Sequence, residues 1–149
     1  MSLKLTVSYD DLVRVATKEV ENIPPIIALD LMEKGDAVII DVRDIRELQR
    51  DGCIPGAYHA PRGLIEGWVD PKSEYYKPLF AEDHKFLILC ASGRRSALVV
   101  QTLKIMGFDK SANMAGGFAA WKLLGGDVCD FEAGKHIDLF DPMDQFVEL

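Results

Sequence analysis

The sequence lacks most of the features that would place it outside the ordinary globular proteins. Its 149 residues include only three cysteines, with no C-x-x-C pair, so it has no disulfide framework of the kind that small secreted domains use. No run of about 18 apolar residues is present, which excludes a membrane span. The first residues show no basic segment followed by an apolar one, so we expect no signal peptide and a cytoplasmic location. The three histidines follow no metal-ligand spacing, and no metal or other cofactor is expected.

Excess charge of either sign is also missing from most of the chain. The net charge is −7, but residues 127–149 alone carry seven acids against one base, which leaves the preceding residues near neutral. Because no basic stripe is present, nucleic acid is not an expected partner. The acidic tail also contains apolar side chains, so three alternatives stay open for it: docking on its own domain, contact with a protein partner or second subunit, or disorder.

Two continuous apolar runs, at residues 37–42 and 85–90, indicate the fold class. Runs of this kind are typical of strands buried on both faces of a parallel sheet. Helical periodicity follows each run, and a third short strand is predicted over residues 111–115. The alternation of strands and helices predicts an α/β fold, with an open, mostly parallel sheet and helices on both faces.

The clearest chemical signal follows the second apolar run, where residues 90–96 read CASGRRS between a strand and a helix. Gly93 permits a positive φ, so the N–H groups of the loop can turn inward beside the positive end of the helix. A cysteine in such a nest has its pKa lowered to roughly 3.5–7.5, and its thiolate needs no histidine base. Cys90 is therefore the candidate nucleophile, provided that solvent reaches its sulfur. The alternative is a thiol that is merely buried at the end of a strand.

Three blocks of the sequence, in this order, resemble the rhodanese (sulfurtransferase) family over residues 20–125. The loop matches the family's C-x-x-G-x-R-S form. The segment from Asp41 to Gly63 is similar to its upstream signature, and N-M-A-G-G-F-A-A-W at residues 113–121 is similar to its downstream one. The chain departs from the family at Cys53, where a histidine usually precedes I-P-G-A. The interval from Asp41 to that motif is also one residue longer than in the commonest form.

The resemblance implies a five-stranded sheet and a thiosulfate sulfurtransferase-like enzyme. It places a rhodanese-like domain at residues 20–126, between an N-terminal helical extension at 1–19 and the acidic C-terminal tail at 127–149. It implies that Cys90 takes a sulfane sulfur from a small anionic donor such as thiosulfate, holds it as a persulfide and passes it to cyanide or a thiol. Carried over by position, the loop residues that stabilise the persulfide and bind substrate are Ala91, Ser92, Gly93, Arg94, Arg95 and Ser96.

Other polar residues are expected to support this loop. We expect Asp41 to anchor it, either by accepting loop amides or by pairing with Arg95. Arg43 and Glu47 are four residues apart and are expected to pair with each other as structural elements. Arg62, in a loop predicted to line the mouth of the site, is a further candidate for binding substrate, and the two loop arginines would attract an anion.

Two other functions stay open at this point. Cysteine phosphatases and arsenate reductases of related architecture use C-x5-R loops, whereas Cys90 and Arg95 have the spacing C-x4-R. The shorter loop fits a single sulfur atom better than an oxyanion. The third interpretation is a non-catalytic partner-binding module, which the presence of Cys90 disfavours. Cys53 could convert a persulfide on Cys90 to a disulfide if the two loops approach, and Cys129 has no assigned role.

Overall fold

The computed structural model describes residues 2–133, 135–136 and 147–148, with side chains described over residues 2–132. The helices are α1 (Tyr9–Glu19), α2 (Pro25–Glu33), α3 (Ile45–Asp51), α4 (Ile65–Val69), α5 (Arg94–Ile105) and α6 (Gly117–Leu124), with 3₁₀ turns at Pro78–Ala81 and Phe131–Ala133. The strands are β1 (Asn22–Ile23), β2 (Ala37–Asp41), β3 (Tyr58–His59), β4 (Lys85–Leu89), β5 (Ser111–Met114), β6 (Lys135–His136) and β7 (Val147–Glu148).

The strands form an open sheet whose first five members are all parallel, in the order β1-β5-β4-β2-β3. The two apolar runs form β2 and β4, the central pair, which are in register along their whole length. The α/β class and the five-stranded parallel sheet are therefore confirmed. The tail extends the β3 edge with β6, which is parallel to β3, and then with β7, which is antiparallel.

Alternate residues of the central strands feed two cores, one on each face of the sheet. Ile40 and Ile88 pack into the core beneath α4 and α5, whereas Ile39 and Leu87 pack into the core beneath α2 and α6. Because both faces are covered, both sets of side chains are apolar, which is why these strands appear as uninterrupted runs. Helix α1 packs on α5 and so forms an outer layer.

The first part of the acidic tail folds back on the domain. Phe131 is buried against Leu48 of α3, and the Asp127 carbonyl accepts a hydrogen bond from the Trp121 indole at 2.8 Å. The apolar tail residues Ile137, Leu139, Phe140, Met143 and Phe146 lie outside the described residues. Across the described ranges, no helix combines the length and the apolar character needed to cross a bilayer.

Candidate active site

The predicted nucleophile lies where β4 ends, inside the loop of residues 90–96, which we call the Cys90 loop. Gly93 precedes α5 with φ +88°, the left-handed conformation that the sequence predicts for it. The turn aims the Gly93 amide at the Cys90 sulfur from 3.2 Å and the Ser96 amide from 3.4 Å, while the Ser96 hydroxyl lies 3.2 Å from it. Amides at a helix N-terminus have no partner within the helix, so they are free to face the sulfur.

These donors determine the acidity of the thiol. Burial is the largest single influence and raises the pKa of Cys90, but the Ser96 hydroxyl and the amides of Ser96, Ser92 and Gly93 stabilise the thiolate. Their combined effect is stronger, and the pKa of Cys90 lies below its ordinary value. The loop therefore favours a thiolate without any adjacent base.

The Cys90 sulfur is fully enclosed, contrary to expectation. Cys90 has 0% exposed surface, contrary to the requirement that solvent reach it. The α6 side closes tightly, since the Phe118 and Ala119 amides donate to the Cys90 and Ala91 carbonyls at 2.8 and 3.0 Å. At Gly117 an added Cβ would lie 2.5 Å from the Cys90 carbonyl oxygen, so only glycine permits this packing. A small molecule can reach the sulfur only after part of the surrounding structure moves.

Asn113 is a further site residue, to which no motif in the sequence assigns a role. The Ser96 hydroxyl has one proton, which it donates either to the Asn113 side-chain oxygen at 2.6 Å or to the Cys90 thiolate at 3.2 Å. The Asn113 amide nitrogen donates to the Gly93 carbonyl at 3.2 Å and to the Asn22 side chain at 3.0 Å. Asn113 therefore contacts both Gly93 and Ser96, the two residues whose amides face the sulfur. An amide side chain between the apolar residues Ala112 and Met114 of a buried strand, next to β4, is the signal that could have identified it.

The expected pairings of the supporting charges are wrong. Arg43 does not pair with Glu47; its guanidinium binds Asp41 at 2.8 Å, and both side chains are only 1% exposed. Asp41 also accepts a hydrogen bond from the Arg43 amide at 3.0 Å. The Asp41 carboxylate is therefore engaged by its own neighbour in a local turn at the end of β2, and not by Arg95. Glu47 instead binds Arg95 through two contacts of 3.1 Å, and this bidentate pair links α3 to the start of α5.

The other two arginines lie on the surface near the loop. Arg94 is held by an ion pair with Asp10 of α1, and its guanidinium stacks 4.7 Å above the centre of the Tyr9 ring. Arg62 is exposed, and its amide donates to the Val42 carbonyl at 3.3 Å, which places it near the carboxyl end of β2. Within residues 2–132, no group of three His, Cys, Asp or Glu side chains is arranged to hold a metal ion.

Comparison with known proteins agrees with this geometry. The model of the rhodanese-like domain matches residues 25–124, and the chain belongs to that family. The chain is 33% identical to the thiosulfate sulfurtransferase GlpE of Pseudoalteromonas translucida over 94 residues, which cover 63% of this chain and 81% of GlpE. It is 35% identical over 83 residues to YrkF of Bacillus subtilis, provisionally named a sulfur carrier protein. The match covers 56% of this chain but spans only 40% of YrkF, and a mouse relative is spanned over 61% of its length.

One solved structure is similar over most of the chain. It is a Rhodopseudomonas palustris protein of unknown function, described as a possible tyrosine phosphatase. It shares 41% identity and a TM-score of 0.81 with this chain, over 87% of this chain and 99% of that one. The relatives therefore support sulfur transfer at the level of the family, while this neighbour keeps the phosphatase alternative in view.

Proposed function

We propose that the protein is a sulfurtransferase that moves a sulfane sulfur from a small anionic donor such as thiosulfate to cyanide or a thiol, through a persulfide on Cys90. The convergence of two amides and a hydroxyl on the Cys90 sulfur is the observation that carries the proposal. These donors favour the thiolate as the attacking group. They can also stabilise the negative charge of the persulfide, which resides on its outer sulfur.

The reaction has two displacements. The Cys90 thiolate attacks the outer sulfur of thiosulfate, the S–S bond of the donor breaks, and sulfite leaves with the electron pair. Cyanide or a thiolate then attacks the outer sulfur of the persulfide. The new S–S bond breaks in turn, the acceptor leaves with the sulfur as thiocyanate or a persulfide, and the Cys90 thiolate is restored. No net oxidation of the protein takes place, so no cofactor is required.

Access to the enclosed sulfur is proposed to open on the α1 side. On the α6 side, backbone hydrogen bonds and the tight contact at Gly117 hold the loop. On the α1 side, Arg94 is held by the side chain of Asp10, and the two side chains are 44% and 80% exposed. An exposed ion pair contributes only about 0.2–1 kcal/mol, so this contact breaks most readily. Its release also frees the Arg94 guanidinium to meet an anionic donor, with Arg62 as a second cation near the same edge of the sheet.

The phosphatase alternative is disfavoured by the position of the loop arginine. A phosphatase needs a guanidinium directed at the oxyanion, whereas both terminal nitrogens of Arg95 bind Glu47. The loop is also one residue shorter than a C-x5-R loop, and Ser96 stands where the arginine of such a loop would be.

Replacing the nucleophile tests the proposal. We expect Cys90→Ser to abolish thiocyanate production from thiosulfate and cyanide, while Cys129→Ser serves as the matched control and retains it. Intact-mass spectrometry of the unaltered chain should show one added sulfur after thiosulfate, lost again on addition of cyanide. Thiocyanate production by Cys90→Ser would refute the assignment. Hydrolysis of an aryl phosphate that depends on Cys90, without sulfur transfer, would establish the phosphatase alternative.

A further inference from the structure

The two cysteines outside the Cys90 loop face each other across a short antiparallel bridge. Cys53 lies between α3 and β3, and Cys129 lies in the segment after α6. Each amide donates to the other residue's carbonyl at 2.8 Å. Such a reciprocal pair has Cα atoms about 5.5 Å apart, within the range of about 4.4–6.8 Å that a disulfide spans. Directly opposed residues of an antiparallel pair direct their side chains to the same side, so the two thiols face each other, and the proximity of Cys129 contributes to the raised pKa of Cys53.

The backbone around this bridge, which we call the Cys53–Cys129 bridge, is fixed before any covalent bond forms. Gly52 has φ +86°, and an added Cβ there would lie 2.8 Å from the Val128 side chain and 2.9 Å from the Cys129 carbonyl oxygen. The Gly52 carbonyl accepts a hydrogen bond from the buried Arg43 guanidinium at 2.8 Å. In a hydrogen-bonded antiparallel pair the Cβ atoms are about 5.5 Å apart, whereas a disulfide holds them about 3.5–4.5 Å apart. Disulfide formation would therefore draw the two Cβ atoms together by about 1 Å against a held backbone, and the strain would make the bond readily reducible.

The two thiols differ in their exposure. Cys53 is only 4% exposed, whereas Cys129 is partly exposed and opens on a surface cavity of about 190 Å³. The cavity is lined by residues 49–52 and 128–132. A small reagent therefore reacts with Cys129 first. Cys53 lies opposite Cys129 and is placed to react with the modified Cys129 sulfur.

We propose that Cys53 and Cys129 form a reversible disulfide with a low-molecular-weight disulfide, such as glutathione disulfide, as the oxidant. The Cys129 thiolate attacks one sulfur of the oxidant and forms a mixed disulfide, and one thiolate leaves. The Cys53 thiolate then attacks the Cys129 sulfur and releases the second thiolate. The protein loses two electrons and two protons, and the oxidant is reduced to two thiols.

The disulfide would covalently attach the segment that follows α6 to the rest of the domain. It joins residue 129 to residue 53 and encloses the whole Cys90 loop within the closed stretch of chain. Burial raises the pKa of both thiols, that of Cys53 to about 11, so exchange is slow at neutral pH and faster in alkaline buffer. The pair is thus suited to a slow change of redox state and not to repeated turnover. This inference does not depend on sulfur transfer at Cys90.

The test uses the full chain carrying Cys90→Ser, so that Cys53 and Cys129 are the only thiols. The protein is equilibrated in glutathione buffers of increasing oxidation, and its free thiols and intact mass are measured. We expect both thiols to disappear in one transition, the mass to fall by two hydrogen atoms, and the midpoint of thermal unfolding to rise by roughly 10 °C. Two stable mixed disulfides, or two thiols that persist in fully oxidised buffer, would overturn the proposal.

Single replacements in the same background test the order of the two steps. With Cys53→Ser added, we expect Cys129 to retain glutathione as a stable mixed disulfide, because the second thiol is missing. With Cys129→Ser added, we expect Cys53 to stay a free thiol, because it is buried. Modification of Cys53 but not of Cys129 would contradict the assigned order. Since none of these measurements uses sulfur transfer, their failure would be distinguishable from a failure of the proposed activity.

Discussion

The Cys90 loop and the Cys53–Cys129 bridge are two buried thiol sites with opposite acidity. Burial is the largest single influence at both thiols and by itself would raise both pKa values. At Cys90 the amides and the Ser96 hydroxyl reverse this effect, whereas at Cys53 the proximity of Cys129 and Asp41 reinforces it. The two sites therefore share an enclosed sulfur and differ in the direction of the neighbouring N–H groups.

The backbone explains this difference. In the bridge, the amides of Cys53 and Cys129 are paired with carbonyl oxygens, and the lowering effect of the Cys129 amide on its own thiol is outweighed by burial. In the loop, the Gly93 and Ser96 amides lie at the start of α5, where the helix supplies no acceptor, and they point at the sulfur. The comparison shows that, for two buried thiols, the position of the cysteine relative to a helix start determines whether the pKa is lowered or raised.

The largest effect is expected from changing the turn that directs the amides. Gly93→Ala places a side chain at φ +88° and a Cβ 3.0 Å from the Gly116 amide nitrogen, so the turn must distort. We expect the Cys90 pKa to rise towards that of an ordinary buried thiol and sulfur transfer to fall about a hundredfold, as for the loss of an oxyanion-hole donor. Thiocyanate assays and the pH dependence of alkylation would measure both.

Gly35→Ala is the matched control, because Gly35 also has a positive φ, +74°, but an added Cβ there would meet nothing within 4 Å. It should lower stability without changing the Cys90 pKa. If Gly93→Ala folded and kept a low Cys90 pKa, the contrast between the two thiol sites would lose its explanation.

Removing one donor should have a smaller effect. Ser96→Ala deletes the hydroxyl 3.2 Å from the sulfur and leaves the amides in place. A hydrogen bond to a charged group contributes about 1.5–3 kcal/mol, so we expect a rise in the Cys90 pKa and at least a roughly tenfold loss of transfer at neutral pH. The loss should shrink as pH rises and the thiolate returns. Ser111→Ala, which removes a buried hydroxyl without a hydrogen-bond partner, should leave the pH profile unchanged; a uniform loss at every pH would point to structural damage.

At the Cys53–Cys129 bridge, the pKa shift should instead make the free energy of unfolding fall as pH rises. Because the folded-state pKa of Cys53 is about 11 and lies above that of an unfolded thiol, the folded protein retains this proton more tightly. Its contribution is complete below about pH 8 and is lost as pH rises towards 11, at up to about 1.4 kcal/mol per pH unit. Under reducing conditions, Cys53→Ala should therefore flatten the alkaline fall in the free energy of unfolding. The free energies of unfolding would be measured by urea titration at a series of pH values. If they fell equally steeply with pH in the two proteins, the raised pKa of Cys53 would be contradicted.

The smallest effect concerns access to the enclosed sulfur. Asp10→Asn weakens the contact of α1 with Arg94, and we expect alkylation of Cys90 and transfer from thiosulfate to become a few-fold faster, as befits an exposed pair worth about 0.2–1 kcal/mol. Asp30→Asn removes a similarly exposed pair with Lys34 on α2 and should change neither rate. If Asp10→Asn slowed both reactions, α1 would support the loop instead of covering it.

The sequence is sufficient for features that depend on neighbouring residues and insufficient for those that depend on distant ones. The central strands and the turn at Gly93 are predictable, because apolar runs and a glycine before a helix act locally. β1 and β3 have two residues each and carry no readable pattern. The exchange of partners between Arg43 and Arg95 could not be inferred, because it depends on which helix start faces which strand end.

Asn113 and the closure of the loop belong to the second group. Asn113 lies 17 residues from the serine that it holds, and only the pairing of β4 with β5 brings them together. Likewise, Gly117 meets the Cys90 carbonyl because α6 begins beside the end of β4. The residues of the Cys90 loop are visible in the sequence, whereas the walls that seal it come from other elements.

The complete enclosure of the Cys90 sulfur has a protective consequence. A low-pKa thiolate on an open surface is readily converted by peroxide to sulfenic acid and then, irreversibly, to higher acids. With 0% exposure, Cys90 meets peroxide only during the moments when the loop is open. The closure that restricts access to the Cys90 sulfur thus protects the thiolate of the resting protein against oxidative damage.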